Sequence, residues 1–279
     1  MNKPVYLAVF ITALWLVLGL MAGLELSDPD RIDLGRILEP PASGSLLGYD
    51  DLGRSIAARL VAGARTSLVV ALTVVMISAL VGTVVGITSA WFGGWWGRIS
   101  VMLIDIFMAF PGLLLAIALA GILGPGVSNA IIALAVVGWV GFARLARAQT
   151  LSVRERDHVL AARAMGTRTP VILVKHILPL ILAPLIVQAT FDIAGAVIAE
   201  ATLSFLGLGV QPPAASWGSM IRDGVRYMLS APHMVVAPGA AIFLVVLSIN
   251  ILGDRLRDRL DVRMLNGRRE PAAPRETLA

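Results

Sequence analysis

Cysteine is absent from all 279 residues, which removes disulfides, thiolate nucleophiles and thiolate-bound metals from consideration. Histidine is scarce too: His158, His176 and His233 are scattered and lack metal-ligand spacing. No G-x-x-x-x-G-K-[ST] loop is present to cradle nucleotide phosphates, and no G-x-S-x-G elbow suggests a Ser/His/Asp set. The chain is therefore not expected to catalyse a reaction by itself, nor to hold a metal or cofactor. Charge is also in short supply. Only 15% of the residues are charged, against about a quarter in soluble domains, while 57% are hydrophobic. That balance describes an all-α polytopic membrane protein. The net charge of +5 does not point to nucleic acid, because the basic residues gather in loops beside apolar runs.

What is present is a series of long apolar runs. Six of them approach or exceed the roughly 20 residues that cross a bilayer. They are Val5–Leu24, Leu68–Trp91, Ile99–Leu123, Ser128–Phe142, Ile177–Glu200 and Val235–Gly253. The fourth is short and is predicted to extend into Arg144–Gln149. With the N-terminus inside, the inner segments carry Lys3, Arg98, seven basic residues from Arg144 to Lys175 and seven from Arg255 onward; the outer segments carry the other seven. The bias places both termini in the cytosol. The first run is read as an uncleaved anchor, because it is long for a signal peptide and no A-x-A-like site follows Met21.

The expected organisation is an anchor helix over 1–25, an extracytoplasmic segment over 26–66, a permease domain over 67–255 and a cytosolic tail over 256–279. The outer segment starts with turn-rich pieces at Ser27–Asp30 and Pro40–Gly44. From Leu52 the pattern becomes helical, with Leu52, Ile56, Leu60 and Val61 on one face and Arg54, Arg59 and Arg65 elsewhere. An amphipathic helix lying on the outer surface is predicted there. The run LSFLGLGVQPP within Ala201–Met234 is too apolar for a free loop and too broken for a span, so it should pack against the bundle. The tail beyond Leu265 is polar, has two prolines and is predicted to be disordered.

Between Arg144 and Pro179 lies a basic stretch that cannot span a membrane. Arg154–Met165 reads as a short helix with Val159, Ala161 and Ala162 available for packing. Gly166 should end it, since a positive φ is cheap only for glycine. Thr169 is a candidate N-cap with Pro170 at the first helical position. The next helix, Val171–Leu178, should run along the membrane face until Pro179 bends it into the fifth span. The whole 154–179 loop has the form of a docking element for a soluble partner.

That loop resembles the EAA loop of ABC importer membrane subunits: Ala161-Ala162, Gly166 and Ile177-Leu178-Pro179 fall at the matching spacing, and Leu160 stands where the motif has Glu. Four further stretches, LGYDDLGRSIAARLVAGARTSL, WFGGWWGRISVMLIDIFMAFPGLLLAIAL, ATLSFLGLGVQPPAASWGSMI and NILGDRLRDRLDVR, resemble the dipeptide/oligopeptide/nickel permease family, in its second or C-type subunit. Val262 replaces that family's usual proline. The resemblance implies a type I ABC importer transmembrane domain, with six spans and a cytosolic coupling helix. It implies a second permease subunit, two ATPase subunits carrying ATP and Mg, and an extracytoplasmic substrate-binding protein. Di- or oligopeptides are the implied cargo, with nickel, glutathione-like peptides or opines as alternatives. Asp157, Ala161, Ala162, Gly166, Thr169, Pro170, His176 and Pro179 are the implied ATPase-coupling residues.

Three acidic residues lie within the apolar runs. Asp105, Asp192 and Glu200 are costly in hydrocarbon and should face the bundle interior or water, as pathway groups or as paired structural ones; Asn250 is one candidate partner for Asp105. For Glu200, at the end of its run, solvation at the interface is the alternative reading. Pro111 and Gly112 sit mid-run and are hinge candidates, since proline removes one helix hydrogen bond. A self-sufficient secondary transporter is the rival class. It should show an internal inverted repeat, and none is visible.

Overall fold

The computed structural model describes residues 3–21, 28–42 and 45–260. The tail from 261, Val262 and the last residues of the first apolar run lie outside the described residues. Lipid offers the backbone no hydrogen-bond partners, so apolar runs of this length satisfy themselves as helices. No β-strand occurs among the described residues, apart from two isolated bridges in the outer segment. The helices are α1 (Lys3–Met21), α2 (Ile56–Phe92), α3 (Gly94–Met108), α4 (Gly112–Leu123), α5 (Val127–Val153), α6 (Asp157–Ala164), α7 (Thr169–Val171), α8 (Leu178–Phe205), α9 (Trp217–Val225) and α10 (His233–Leu260). Five helical stretches are long and apolar enough to cross a membrane, and α3 with α4 supplies a sixth if that bent pair is one span.

The third expected span is divided. The axes of α3 and α4 differ by 89°, far more than a kink. Pro111 cannot donate to the carbonyl four residues back, and it drives Phe110 away from helical geometry. Pro111 itself is extended (φ −59°, ψ 117°), so α3 closes at Met108 and α4 starts afresh at Gly112. The fourth span, by contrast, runs through Arg144–Gln149 as expected, because α5 continues to Val153.

The predicted surface helix is also different. Leu52–Ser55 is not helical; Ser55 caps α2, whose first turn flows without a break into the second span. Arg54 and Arg59 are drawn inward rather than left in solvent. Asp50 accepts from the Arg54 Nε at 2.7 Å and lies 3.6 Å from the Arg59 Nε, while Arg59 Nη1 donates to Asp30 at 3.1 Å. Arg59 is only 3% exposed. Amphipathic spacing found the apolar face but could not see a carboxylate, Asp50, arriving from the preceding loop.

The core of the bundle is the contact between α2 and α5. Ser78, Gly82, Gly86 and Ala90 recur every four residues on one face of α2, and all are buried. A Cβ at Gly82 would lie 2.3 Å from the Trp139 carbonyl, and one at Gly86 2.4 Å from that of Ala143. Small residues at this spacing let two backbones meet closely, which is how helices associate where water supplies no hydrophobic drive.

The run expected to pack against the bundle does so. α8 ends in a Schellman turn at Gly207 (φ 81°), with Leu208 N–H donating to Leu203 O and Gly207 N–H to Ser204 O. Val210 is then buried, and Trp217 inserts against α2, its Nε1 donating to the Leu60 carbonyl at 2.9 Å.

Candidate functional site

Two regions carry the candidate residues. The first is the polar element after α5. Arg154 donates to the Ala90 carbonyl at 2.8 Å, tying the turn to the end of α2. Asp157 opens α6, where a carboxylate suits the positive end of the helix dipole. On α6, Val159 and Ala162 point inward and are fully buried, in one core with Val153, Ile172 and Ile177. Arg163 stacks over Trp91 at 5.3 Å. Gly166 adopts φ 75° with empty space around it, and Thr167 N–H and Gly166 N–H close back on Ala162 O and Arg163 O. The helix stop is therefore a Schellman turn that depends on backbone conformation alone.

Three expectations shift here. Of the two alanines among the implied ATPase-coupling residues, Ala162 packs inward as the sequence allowed, into the bundle core, so only Ala161 faces outward, beside Leu160, Ala164 and the 78% exposed Met165. Arg168, not Thr169, is the N-cap, with Thr169 and Pro170 already in the first helical turn. Pro179 does not interrupt the helix: Thr169–Phe205 is one continuous helical stretch. A π turn over Ile172–Ile177 precedes the proline, and Leu178 N–H reaches back to Leu173 O. The wider turn accommodates the proline ring and its missing donor. His176 lies at the end of this turn, its ring 6.5 Å from that of His158.

The second region is a half-open hollow of about 250 Å³ between α2, α4, α5 and α8. Its walls are mostly apolar, with Gly112, Ala116 and Gly141 keeping it open and Ser78, Gln188 and Asp192 as its polar groups. Gln188 Nε2 donates to Asp192 Oδ1 at 2.9 Å. Gln188 also borders a larger vestibule of about 550 Å³ lined by Gln149, Pro184, Phe191 and Arg257. Pro184, Gln188, Asp192, Gly195 and Ala199 thus form one stripe of α8 that lines both spaces.

Asp105 and Glu200 do not join Asp192. Asp105 is exposed on α3 and shares a separate hollow with Arg144 and Arg147. Asn250 is not its partner, since its amide donates to the Val246 carbonyl of its own helix. Glu200 is 1% exposed and not solvated at an interface. It accepts from Ser204 Oγ at 2.7 Å and Ser67 Oγ at 3.3 Å, and Ser204 Oγ in turn accepts from Val210 N–H. Glu200 therefore fastens the turn after α8 to α2, away from the hollow. Pro111 and Gly112 flank the α3–α4 break, and Gly112 lines the hollow. The sequence reading did not single out Ser78 or Gln188. A signal existed for both: Gln188 is a polar residue one turn from Asp192, and Ser78 begins the four-residue repeat of small residues on α2.

Comparison with known proteins agrees with this architecture. Residues 82–266, more than half of the chain, match the family described as "Binding-protein-dependent transport system inner membrane component". A dipeptide transport system permease protein, DppC, of Alkalihalophilus pseudofirmus is 40% identical over 94% of this chain and 87% of its own. A glutathione transport system permease protein, GsiD, of Pectobacterium atrosepticum is 41% identical over 83% of this chain and 77% of its own. Among solved structures, an inward-facing MetNI methionine ABC transporter chain superimposes with TM-score 0.61 at 20% identity, covering 74% of this chain and 97% of that one; it speaks for the fold alone. The described spans and the family match together place this chain in the binding-protein-dependent transport system inner membrane component family.

Proposed function

We propose that this chain is one of two different transmembrane subunits of an ABC importer that carries di- and oligopeptides across the cytoplasmic membrane. The observation that carries the cargo is the pair of relatives, one named for dipeptides and one for the tripeptide glutathione, at nearly equal identity. Their shared chemistry is a short peptide, and glutathione-like peptides are included in the reading. ATP and Mg belong to partner ATPase subunits, and an extracytoplasmic binding protein delivers the cargo. The chain itself performs no chemistry.

In this reading both termini face the cytosol, and α6 is the coupling helix. Its outward edge, Leu160, Ala161, Ala164 and Met165, meets the ATPase, while Val159 and Ala162 transmit the push to the π turn and α8 behind them. Asp157, Gly166, Thr169, Pro170, His176 and Pro179 shape or flank that element. Because α8 begins in the coupling element and lines the hollow, movement at one end reaches the other through a single helix. ATP favours whichever state binds it more tightly, and the pathway opens accordingly to one side or the other.

The test is mild-detergent purification of the tagged chain from its own membranes, with mass spectrometry of everything that accompanies it. A second permease and ATPase subunits, together with ATP-dependent uptake of a labelled dipeptide in liposomes, are the expected result. A solitary chain that transports without ATP would overturn the reading.

A further inference from the structure

The hollow holds an arrangement that packing alone does not require. Asp192 stands 14 residues after the start of α8, about 20 Å along it and close to the middle of this apolar helix. A carboxylate at that position is expensive unless something compensates it. Among the described residues, no Lys, Arg or His comes within 4.0 Å of it. Its one side-chain partner is the neutral amide of Gln188. Ser78 borders the same hollow, but its hydroxyl is sealed against Gly138 of α5, where an added Cβ would lie 2.5 Å from it. Two features thus converge on one space: a carboxylate without a counter-ion and a cavity beside it.

We infer that this hollow is a transit subsite for the free ammonium end of a peptide, with Asp192 as counter-ion and Gln188 as the gate to the cytosolic vestibule. An ammonium group has three donors and no acceptor, which suits a carboxylate and an amide oxygen. The hollow is smaller than the roughly 300–1,000 Å³ of sites that enclose a drug-sized molecule, so it takes one end of the peptide and not the whole. The common feature of peptides of different sequence is that terminus. A subsite for it recognises the class and leaves side-chain preference to other components. Gln188 borders both spaces, so release of its bond to Asp192 would let the amine pass from the hollow to the vestibule.

The inference rests on the peptide-import reading, and its test separates the two. The chain has no cysteine, so Gly195→Cys gives it a unique thiol. A side chain there meets nothing within 4 Å and lies on the hollow's wall three residues from Asp192. In the purified full complex, a cationic methanethiosulfonate should label this thiol about tenfold faster than an anionic one, the size of effect a single nearby charge produces. A dipeptide with a free amine should slow cationic labelling severalfold during turnover, and its N-acetyl analogue should not. Both effects should vanish in Gly195→Cys/Asp192→Asn, and Gly195→Cys/Asp192→Glu should restore them. Equal labelling by the two reagents, or protection by both peptides alike, would overturn the inference. If the double variant fails to assemble, the comparison of reagents and peptides on Gly195→Cys alone decides. Failure of the wild-type complex to import any peptide would instead strike the functional reading beneath it.

Discussion

Asp50 shows how much one buried carboxylate organises. It accepts from the backbone N–H groups of Leu52 and Arg54, both at 2.9 Å, while its other oxygen faces the Arg54 and Arg59 side chains, so loop 45–55 and the first turn of α2 are fixed together. Its neighbour Asp51 is less well served. Burial, and then the Asp50 charge, push the Asp51 carboxyl above its ordinary value of 3.8, and Arg54 offsets only part of this. A carboxyl whose pKa is raised by folding binds more protons folded than unfolded. Stability of the outer segment should therefore fall as pH rises from 3.8 through that raised value. Asp51→Asn should remove this slope and leave the segment more resistant to proteolysis at neutral pH. Unaltered pH dependence in the variant would show that Asp51 is not its source. Glu200 belongs to the same scale. Glu200→Ala leaves Ser67 and Ser204 without their shared partner and opens a cavity, at a cost of about 2–4 kcal/mol, read as a lower thermal midpoint of the purified complex.

At the scale of elements, the helix stops decide the architecture. Gly166 needs its φ of 75° and has no neighbour for a side chain to strike. Gly166→Asn should retain coupled transport, whereas Gly166→Val should strain the turn by about 1–2 kcal/mol and lower uptake relative to ATP hydrolysis. Similar coupling ratios for the two would remove the turn from the coupling path. Pro111 makes the 89° break between α3 and α4. Pro111→Ala restores the missing donor and favours a straighter helix, so transport should fall while assembly with partner subunits persists. The α2–α5 contact is the opposite kind of element, held by what is missing. Gly82→Leu places atoms where the Trp139 carbonyl lies and should prevent the complex from assembling.

For the molecule as a whole, the arrangement is a bundle with its loops fastened at both ends. At one end, Trp217 and Glu200 bind the α8–α9 region to α2; at the other, Arg154 and Arg163 bind the α6 element to the end of the same helix. α2 is thus the common post. With both termini inside, a single cysteine at Ser45 should react with an impermeant reagent in intact cells, and a C-terminal tag should become accessible only after permeabilisation. The reverse pattern would invert the topology and place α6 on the wrong side for an ATPase.

Much of this was legible in one dimension, because lipid imposes rules that are local in sequence. Span length, the packing of LSFLGLGVQPP against the bundle, the glycine stop at Gly166 and the extension of the fourth span through Arg144–Gln149 follow from hydropathy and backbone chemistry alone. The family was legible only as a resemblance of motifs, and the match over residues 82–266 shows it. What the sequence could not decide were the meetings of residues far apart along the chain. Asp50 and Asp30 capture Arg59; Ser67 and Ser204 enclose Glu200; Ala162 turns into the bundle core; a π turn precedes Pro179 without ending the helix. The sequence likewise offered three acidic residues as pathway candidates. Only packing set Asp192 beside an open hollow, left Asp105 on another face and sealed Glu200 in hydroxyls. The membrane determines which segments become helices, whereas a side chain's role depends on which helix it meets, and that is settled only when the bundle closes.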